Sequence, residues 1–488
     1  MAHTLNSYPT KPRVLILTDI TNEPDDAQSF CRYLTYSNQF DTEGVVPTTS
    51  VWLKDKIAPA ELHNIVDGYA QVVDNLNSHT HPDSPYPTAN HIRSLIHHGA
   101  PLYGMEAVGD DIPLSPGAEL LLRRVEADDP RPLWVLVWGG SNVLASVLYR
   151  IRDRPDAAQL RSKLRVYTIS DQDDTGAWMR QQWPDLFYIC SAHGWNQYNL
   201  ATWLGISGDI LEDRGGGDRK MLSNEWIKEN LQIGPLGSKY PDVMFAMEGD
   251  TPTFLYLIQN GLGVPEEPSW GSWGGRYVPI NISSSRGFPR GHFGDCTDDV
   301  VGVNGQLFRN NRATIWRWRN AFQQDFAARM QWTLTADFSK VNHAPIADVN
   351  GDRGLAPIYI DADAGSSISF DASNSYDPDG DSLSFRWWQY VEPSAVKICK
   401  NWEVAPLKLE TSEDGKVCTV LVAPREESCV ALALPPKLRA AQSHPPKLLE
   451  RGSPSHVILE VQDTGSPPLI TYRRIIITPV NKSFTSES

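Results

Sequence analysis

No stretch of the 488-residue chain approaches the ~20 consecutive apolar residues that a membrane-spanning helix requires, so the membrane is not an expected partner. Basic residues are in deficit: 44 Lys and Arg stand against 59 Asp and Glu, a formal charge of −15. A surface of that sign repels phosphate backbones, and no basic cluster offsets it, which argues against nucleic acid as a partner. Cysteine is sparse, with six residues at 31, 190, 296, 399, 418 and 429 that lack the short paired spacing of a zinc site. Cys399, Cys418 and Cys429 crowd near the end, where one disulfide with an odd thiol and three free buried thiols fit equally. No tandem repeat is present. Residues 1–13 hold no apolar leader core, so the chain as it stands reads as soluble, with secreted and cytoplasmic locations both open. Sequons at Asn281 and Asn481 permit glycosylation.

Against these shortages the chain is rich in rings, with 16 Trp and 17 Tyr beside 7 Met. Flat aromatic faces stack on the apolar faces of sugars, and they serve equally as core filling. At this length two or three domains are expected. From residue 13 onward short apolar runs alternate with amphipathic stretches, the pattern of a mainly parallel sheet with flanking helices. Strands are predicted at residues 14–17, 44–46, 133–137, 164–168 and 186–189, with a helix over 27–36. Ligands of such sheets bind outside the carboxyl ends of the strands. Near Asn342-His343-Ala344-Pro345 the style changes to β-branched alternation, Asp-Gly turns and prolines. The expected division is a tail at 1–12, an α/β domain at 13–340, an all-β Ig-like sandwich at 341–482 and a tail at 483–488. Strands are expected at 367–370, 382–388, 456–461 and 472–479, with an irregular insertion between 392 and 449.

The sharpest chemical signal is Thr18-Asp19-Ile20-Thr21-Asn22-Glu23-Pro24-Asp25-Asp26, four carboxylates on a loop between a strand and a helix. Crowded carboxylates repel, so the cluster needs a cation, hydrogen-bond donors or raised pKa values, and oxygen-rich sites suit calcium or magnesium. The competing reading is that Glu23, Asp25 and Asp26 only favour the positive N-terminus of the helix. Two further segments carry similar signals: Trp138-Gly139-Gly140-Ser141-Asn142 after the third strand, and Met247-Glu248-Gly249-Asp250-Thr251 before an apolar helix. Each could equally be a turn or a helix cap. The loops around His193, Trp195, Asn196 and Asn199, and around Trp270, Trp273 and Arg276, combine amides, aromatics and glycines suited to sugar hydroxyls and ring faces. His292 and residues 295–299 read as a solvated loop.

These motifs resemble the nucleoside hydrolases, whose first strand ends in Asp-Xaa-Asp-Pro-Gly-Xaa-Asp-Asp. Asp19, Asp25 and Asp26 fall on its first and last two aspartates, Thr21 replaces the second, and Asn22-Glu23 replaces Pro-Gly. The resemblance implies calcium held by Asp19, Asp26, Asp250 and the Ser141 carbonyl. It implies catalytic roles for Asp19 and Asp25; Glu23, whose longer side chain can reach back toward the same cavity, is expected to take over the missing carboxylate's work. Gly249 stands where that family has a histidine able to protonate a departing nucleobase, which implies a different leaving group or another acid, Glu248 or His193. The combination of Asn-Glu-Pro-Asp-Asp-Ala-Gln, Met-Glu-Gly-Asp-Thr-Pro and Trp-Gly-Xaa-Trp-Gly-Gly-Arg-Tyr closely resembles a nucleoside hydrolase-like family often labelled cellulose-binding protein. Residues 370–381 are similar to polycystic-kidney-disease-type modules.

The expected activity is hydrolysis of an N- or O-glycosidic bond in a sugar or glycoside. Asp25, His193, Trp195, Asn196, Asn199, Glu248, Trp273 and Arg276 are the expected substrate contacts. Self-association into a homo-oligomer is compatible with this reading. The alternatives are a non-catalytic carbohydrate- or cellulose-binding protein, favoured by Thr21, and a ribonucleoside hydrolase, disfavoured by Gly249.

Overall fold

The computed structural model describes residues 4–209, 213–280, 291–394, 404–434, 436–441, 444 and 446–484. The sequon at Asn281 and Cys399 lie outside the described residues. The chain divides into two compact units, one of Met1–Ile258 with Ser272–Val341 and one of Gln259–Gly271 with Asn342–Ser488. Among the described residues no helix is long and apolar enough to cross a membrane.

The first unit is built on a sheet of order β2-β1-β3-β4-β5-β7-β6. Its strands are β1 (Arg13–Thr18), β2 (Asp41–Pro47), β3 (Leu133–Val137), β4 (Leu164–Thr168), β5 (Phe187–Cys190), β6 (Tyr277–Pro279) and β7 (His292–Asp295). All pairings through β7 are parallel, and only the edge pair β6–β7 is antiparallel. Central strands covered on both faces must be apolar throughout, and β1 and β3 are buried at every position. Leu15, Leu17, Val135, Val137 and Val166 share one core with Leu144, Val147, Leu148 and Ile151 of the helix Asn142–Ile151. β1 is followed by β2 on one side and flanked by β3 on the other, so the carboxyl ends of β1 and β3 form a switch point, the position at which ligands of open α/β sheets bind. A hairpin of β8 (Asp298–Val301) and β9 (Leu307–Asn310) completes the strands among the described residues of this unit.

His292 and Asp295 are therefore strand residues of the sheet rather than a solvated loop. Asp298 is fully buried between Arg276 and Arg317.

The second unit carries two sheets. One, in order β10-β16-β15-β12, uses β10 (Ile358–Asp363), β12 (Ser384–Tyr390), β15 (Ser455–Gln462) and β16 (Ile470–Val480). The other, in order β11-β14-β13, uses β11 (Ser367–Asp371), β13 (Lys408–Thr411) and β14 (Val417–Leu421). Phe370, Trp387, Val420, Leu459 and Ile475 come from both sheets and fill one core, as in a β-sandwich. Two expectations are corrected. The stretch 392–449 is not wholly irregular, because β13 and β14 pair across an Asp414-Gly415 turn in which Gly415 takes φ +72°. Residues 259–271 cluster with this unit rather than the first. There the Asn260 carbonyl accepts from Tyr472 N, and the buried Arg474 guanidinium donates to the carbonyls of Leu262, Trp270 and Gly271. Cys418 and Cys429 are free buried thiols.

Candidate active site

Beyond Thr18 the chain turns tightly, with Asn22 N donating to the Asp19 carbonyl. Thr21 in that turn adopts φ +86°, a left-handed conformation costly for a β-branched residue. Its side chain is exposed, so it supplies no substitute for a carboxylate at that position. The helix Asp25–Tyr36 follows, and no side chain caps it. The acids of the loop are therefore not used up as an N-cap, although Asp25 and Asp26 lie in the positive first turn.

Instead they converge. Asp25, Asp26 and Asp250 each present a carboxylate oxygen, and these oxygens lie within 4.8 Å of one another. Asp26 and Asp250 are buried and Asp25 is half-buried. Asp26 accepts a short hydrogen bond from Thr18 Oγ1, and Ser50 and Asp26 lie near enough to Asp19 to work against the effect of burial on its carboxyl. The Asp250 Oδ2 is buried without a hydrogen-bond partner. The helix after it, Pro252–Leu255, starts at Thr251 without a side-chain cap, so capping does not account for Asp250 either.

Burial, with the Glu23 carboxylate adding to it, pushes the Asp19 carboxyl up to about 6 and Asp25 up to about 7. Burial also lifts Asp26 and Asp250 well above the ordinary range, with the other acids adding to it. Oxygen donors in this arrangement fit a hard divalent cation, which Asp25, Asp26 and Asp250 could hold. A stability consequence follows from the sign of these shifts. The folded state keeps protons that the unfolded chain releases near pH 4, so stability falls as pH rises through the folded values. In chelator-treated protein the melting temperature is expected to fall between about pH 4 and about pH 7, the Asp25 value. Added Ca²⁺ should flatten the fall. A melting temperature that climbs across that window without cation would contradict the assignment.

The other expected contacts divide. Ser141 Oγ bonds with Thr175 and Asp173, and its carbonyl accepts from Ala145 N within the helix it starts. The residue of that turn that reaches the cluster is Gly139: a Cβ there would lie 2.8 Å from Asp19 Oδ1. Glu248 is not available to substrate. It is fully buried, its Oε2 takes Arg32 Nη1 at 2.7 Å, and its Oε1 accepts from Tyr240. Its backbone at φ +52° and its N–H bond to Gln28 Oε1 fix the approach to Asp250, so it acts as a support. Arg276 is likewise committed, to Asp298 and the Thr297 carbonyl. Trp273 is buried edge-on against Phe322.

His193 is half-buried, with Nε2 3.4 Å from Ser170 Oγ, whereas Asn196 and Asn199 are exposed. The Trp195 side chain lies outside the described residues. Sequence reasoning missed Trp203, whose ring meets that of Tyr198 edge-on at 5.6 Å near the acids, because it lies beyond the loop of residues 191–199 that the amides and aromatics mark out. It also missed Arg32, although an arginine between Cys31 and Tyr33 inside an apolar helix face was a signal.

Two family profiles match the chain. Residues 13–277 match "Cellulose-binding Sde182, nucleoside hydrolase-like domain" and residues 367–479 match "Cellulose-binding protein Sde0182, C-terminal domain". Among solved structures, a nucleoside hydrolase-related hypothetical protein from Saccharophagus degradans, described as associated with carbohydrate metabolism, is 30% identical. That similarity covers 96% of this chain and 99% of that one, with a TM-score of 0.73. The effector protein XOO4466, at 12% identity, is matched over 67% of this chain and 95% of its own, with a TM-score of only 0.29. No curated protein matches. An α/β unit that gathers Asp25, Asp26 and Asp250 at the end of its first strand, followed by a strand-rich second unit, thus belongs to the cellulose-binding Sde182 family with its nucleoside hydrolase-like domain.

Proposed function

We propose that the protein hydrolyses a glycosidic bond in a carbohydrate, in a pocket centred on Asp25, Asp26 and Asp250. The observation that carries this reading is the convergence of those carboxylates around an Asp250 oxygen that is buried and has no partner. Such an arrangement is costly in an unliganded fold and useful only if positive charge arrives. The cellulose-binding description of the family and the carbohydrate association of the Saccharophagus relative support a sugar as the substrate class.

A bound divalent cation would supply Lewis acidity toward an oxygen ligand. The chain's own groups do the rest. Asp25, half-buried at the mouth, accepts from sugar hydroxyls and orients the ring. Glu23, also part-exposed and close enough to raise Asp19 and Asp25, takes a proton from the attacking water. The water oxygen bonds to the anomeric carbon as the glycosidic bond breaks, and the bonding pair leaves with the departing atom, which takes a proton from solvent water, while Glu23 returns the proton it took to solvent. Positive charge that builds on the ring in the transition state is stabilised by the surrounding carboxylates.

A panel of p-nitrophenyl glycosides and cello-oligosaccharides, assayed with Ca²⁺ and with chelator, tests this reading. Turnover that falls at least about 100-fold in Glu23→Gln supports it. Full turnover in that variant removes Glu23 from the mechanism. A non-catalytic carbohydrate-binding role is favoured by one observation, the exposed Thr21 that leaves the site one carboxylate short. Binding without turnover across the panel would establish that role, and release of base from inosine or uridine would establish a ribonucleoside hydrolase.

A further inference from the structure

Gly249 lies between Glu248 and Asp250, yet its φ is not in the left-handed region, so its backbone conformation is open to any residue. Space is what demands glycine there. A Cβ at 249 would meet Asp25 Oδ2 at 2.6 Å and Trp203 Cζ3 at 2.9 Å. The six-membered ring of Trp203 therefore fills the volume in front of residue 249, beside the Asp25 carboxylate. The indole is fixed from behind, since its Nε1 donates to Ser170 Oγ at 3.0 Å. Tyr198 packs edge-on against Trp203 with ring centroids 5.6 Å apart and against His193 at 5.3 Å. Tyr198 and His193 are both only half-buried, whereas Trp203 is 6% exposed.

We propose that Tyr198 is the ring against which a sugar of the substrate stacks, and that Trp203, seated in the space of a residue-249 side chain, holds it there. This rests on the carbohydrate reading above and extends it by naming the wall that recognises the sugar. Three observations converge on it: the part-exposed Tyr198 ring, the buried Trp203 wedge beside it, and a neighbouring residue that space restricts to glycine. Burial first, and then the charges of the acidic cluster, raise the Tyr198 phenol, in keeping with its contact to Trp203 beside Asp25. Polarised C–H groups on one face of a sugar pack on an aromatic face, while its hydroxyls turn toward the carboxylates. Specificity is then set by an aromatic wall, with no ionisable side chain at 249.

The test is cellotetraose binding by calorimetry, using the full chain with Ca²⁺ present. Tyr198→Ala is expected to weaken binding about tenfold or more, and Tyr198→Phe, which keeps the ring, to stay within about threefold. Gly249→Ala should also weaken binding, because its methyl displaces the Trp203 ring while Tyr198 stays intact. Wild-type affinity in Tyr198→Ala or in Gly249→Ala overturns the wall while leaving the carbohydrate reading in place. If the unaltered protein does not bind cellotetraose, the carbohydrate reading fails first and the wall with it.

Discussion

Replacing Asp250 with Asn should abolish glycoside hydrolysis and the response to calcium while leaving the cation-free fold at least as stable as before. The side chains are nearly isosteric, so packing around this buried position changes little. What changes is charge. In the cation-free protein Asp250 adds to the repulsion among buried carboxylates, and its Oδ2 has no compensating donor. Removing it relieves that cost, in the way that functional sites trade stability for activity. With a cation present the balance inverts, because one of three carboxylate donors is gone. Changes to groups that merely orient metal ligands cost about 10–100-fold in affinity or activity, so loss of a direct ligand should cost at least about 100-fold. The variant should melt at or above the wild-type temperature in chelator at pH 7.5 and gain little from millimolar Ca²⁺. A variant that melts far below wild type in chelator would make Asp250 a structural residue instead.

The opposite signature is expected one turn of backbone away. Glu248→Ala leaves Arg32 buried with its guanidinium facing an empty space, retaining only Gln323 and the Phe322 carbonyl as hydrogen-bond partners. Breaking one member of a buried ion pair costs about 3–5 kcal/mol, since the remaining charge keeps its desolvation penalty. Urea denaturation should show that loss whether or not calcium is present. A matched replacement, Arg32→Met with Glu248→Met, removes both charges and should recover much of the stability. If recovered protein also recovers hydrolysis, the pair serves folding alone. If stability returns without activity, the pair also positions Asp250. A loss below about 1 kcal/mol in Glu248→Ala would show that the pair is solvated and that our account of this residue is wrong.

How much of this was legible follows from where each signal resides. β3 and β4 start and stop at the residues expected, because a strand buried on both faces announces itself as an apolar run bounded by polar loops. β13 and β14 were hidden by the proline pairs at 435–436 and 445–446 that follow them, even though the Asp414-Gly415 turn flanked by alternating residues was present. In the site, the crowding of Asp19, Glu23, Asp25 and Asp26 is local and could be read directly. The arrival of Asp250 came only through a family resemblance. Glu248 and Arg276 carry the residue types of substrate contacts, and nothing near them in the chain reveals that Arg32 and Asp298 consume their charges. Pairing at long range is a tertiary fact. The same holds for Gly249, whose meaning appears only once the Trp203 ring is seen in front of it.

The most direct test of the central claim is calcium titration calorimetry on chelator-stripped protein, run in parallel on wild type and Asp250→Asn at pH 7.5. Our account predicts one saturable site in the wild type and none of comparable affinity in the variant. Equal calcium binding by the two proteins, or none by the wild type, would contradict it.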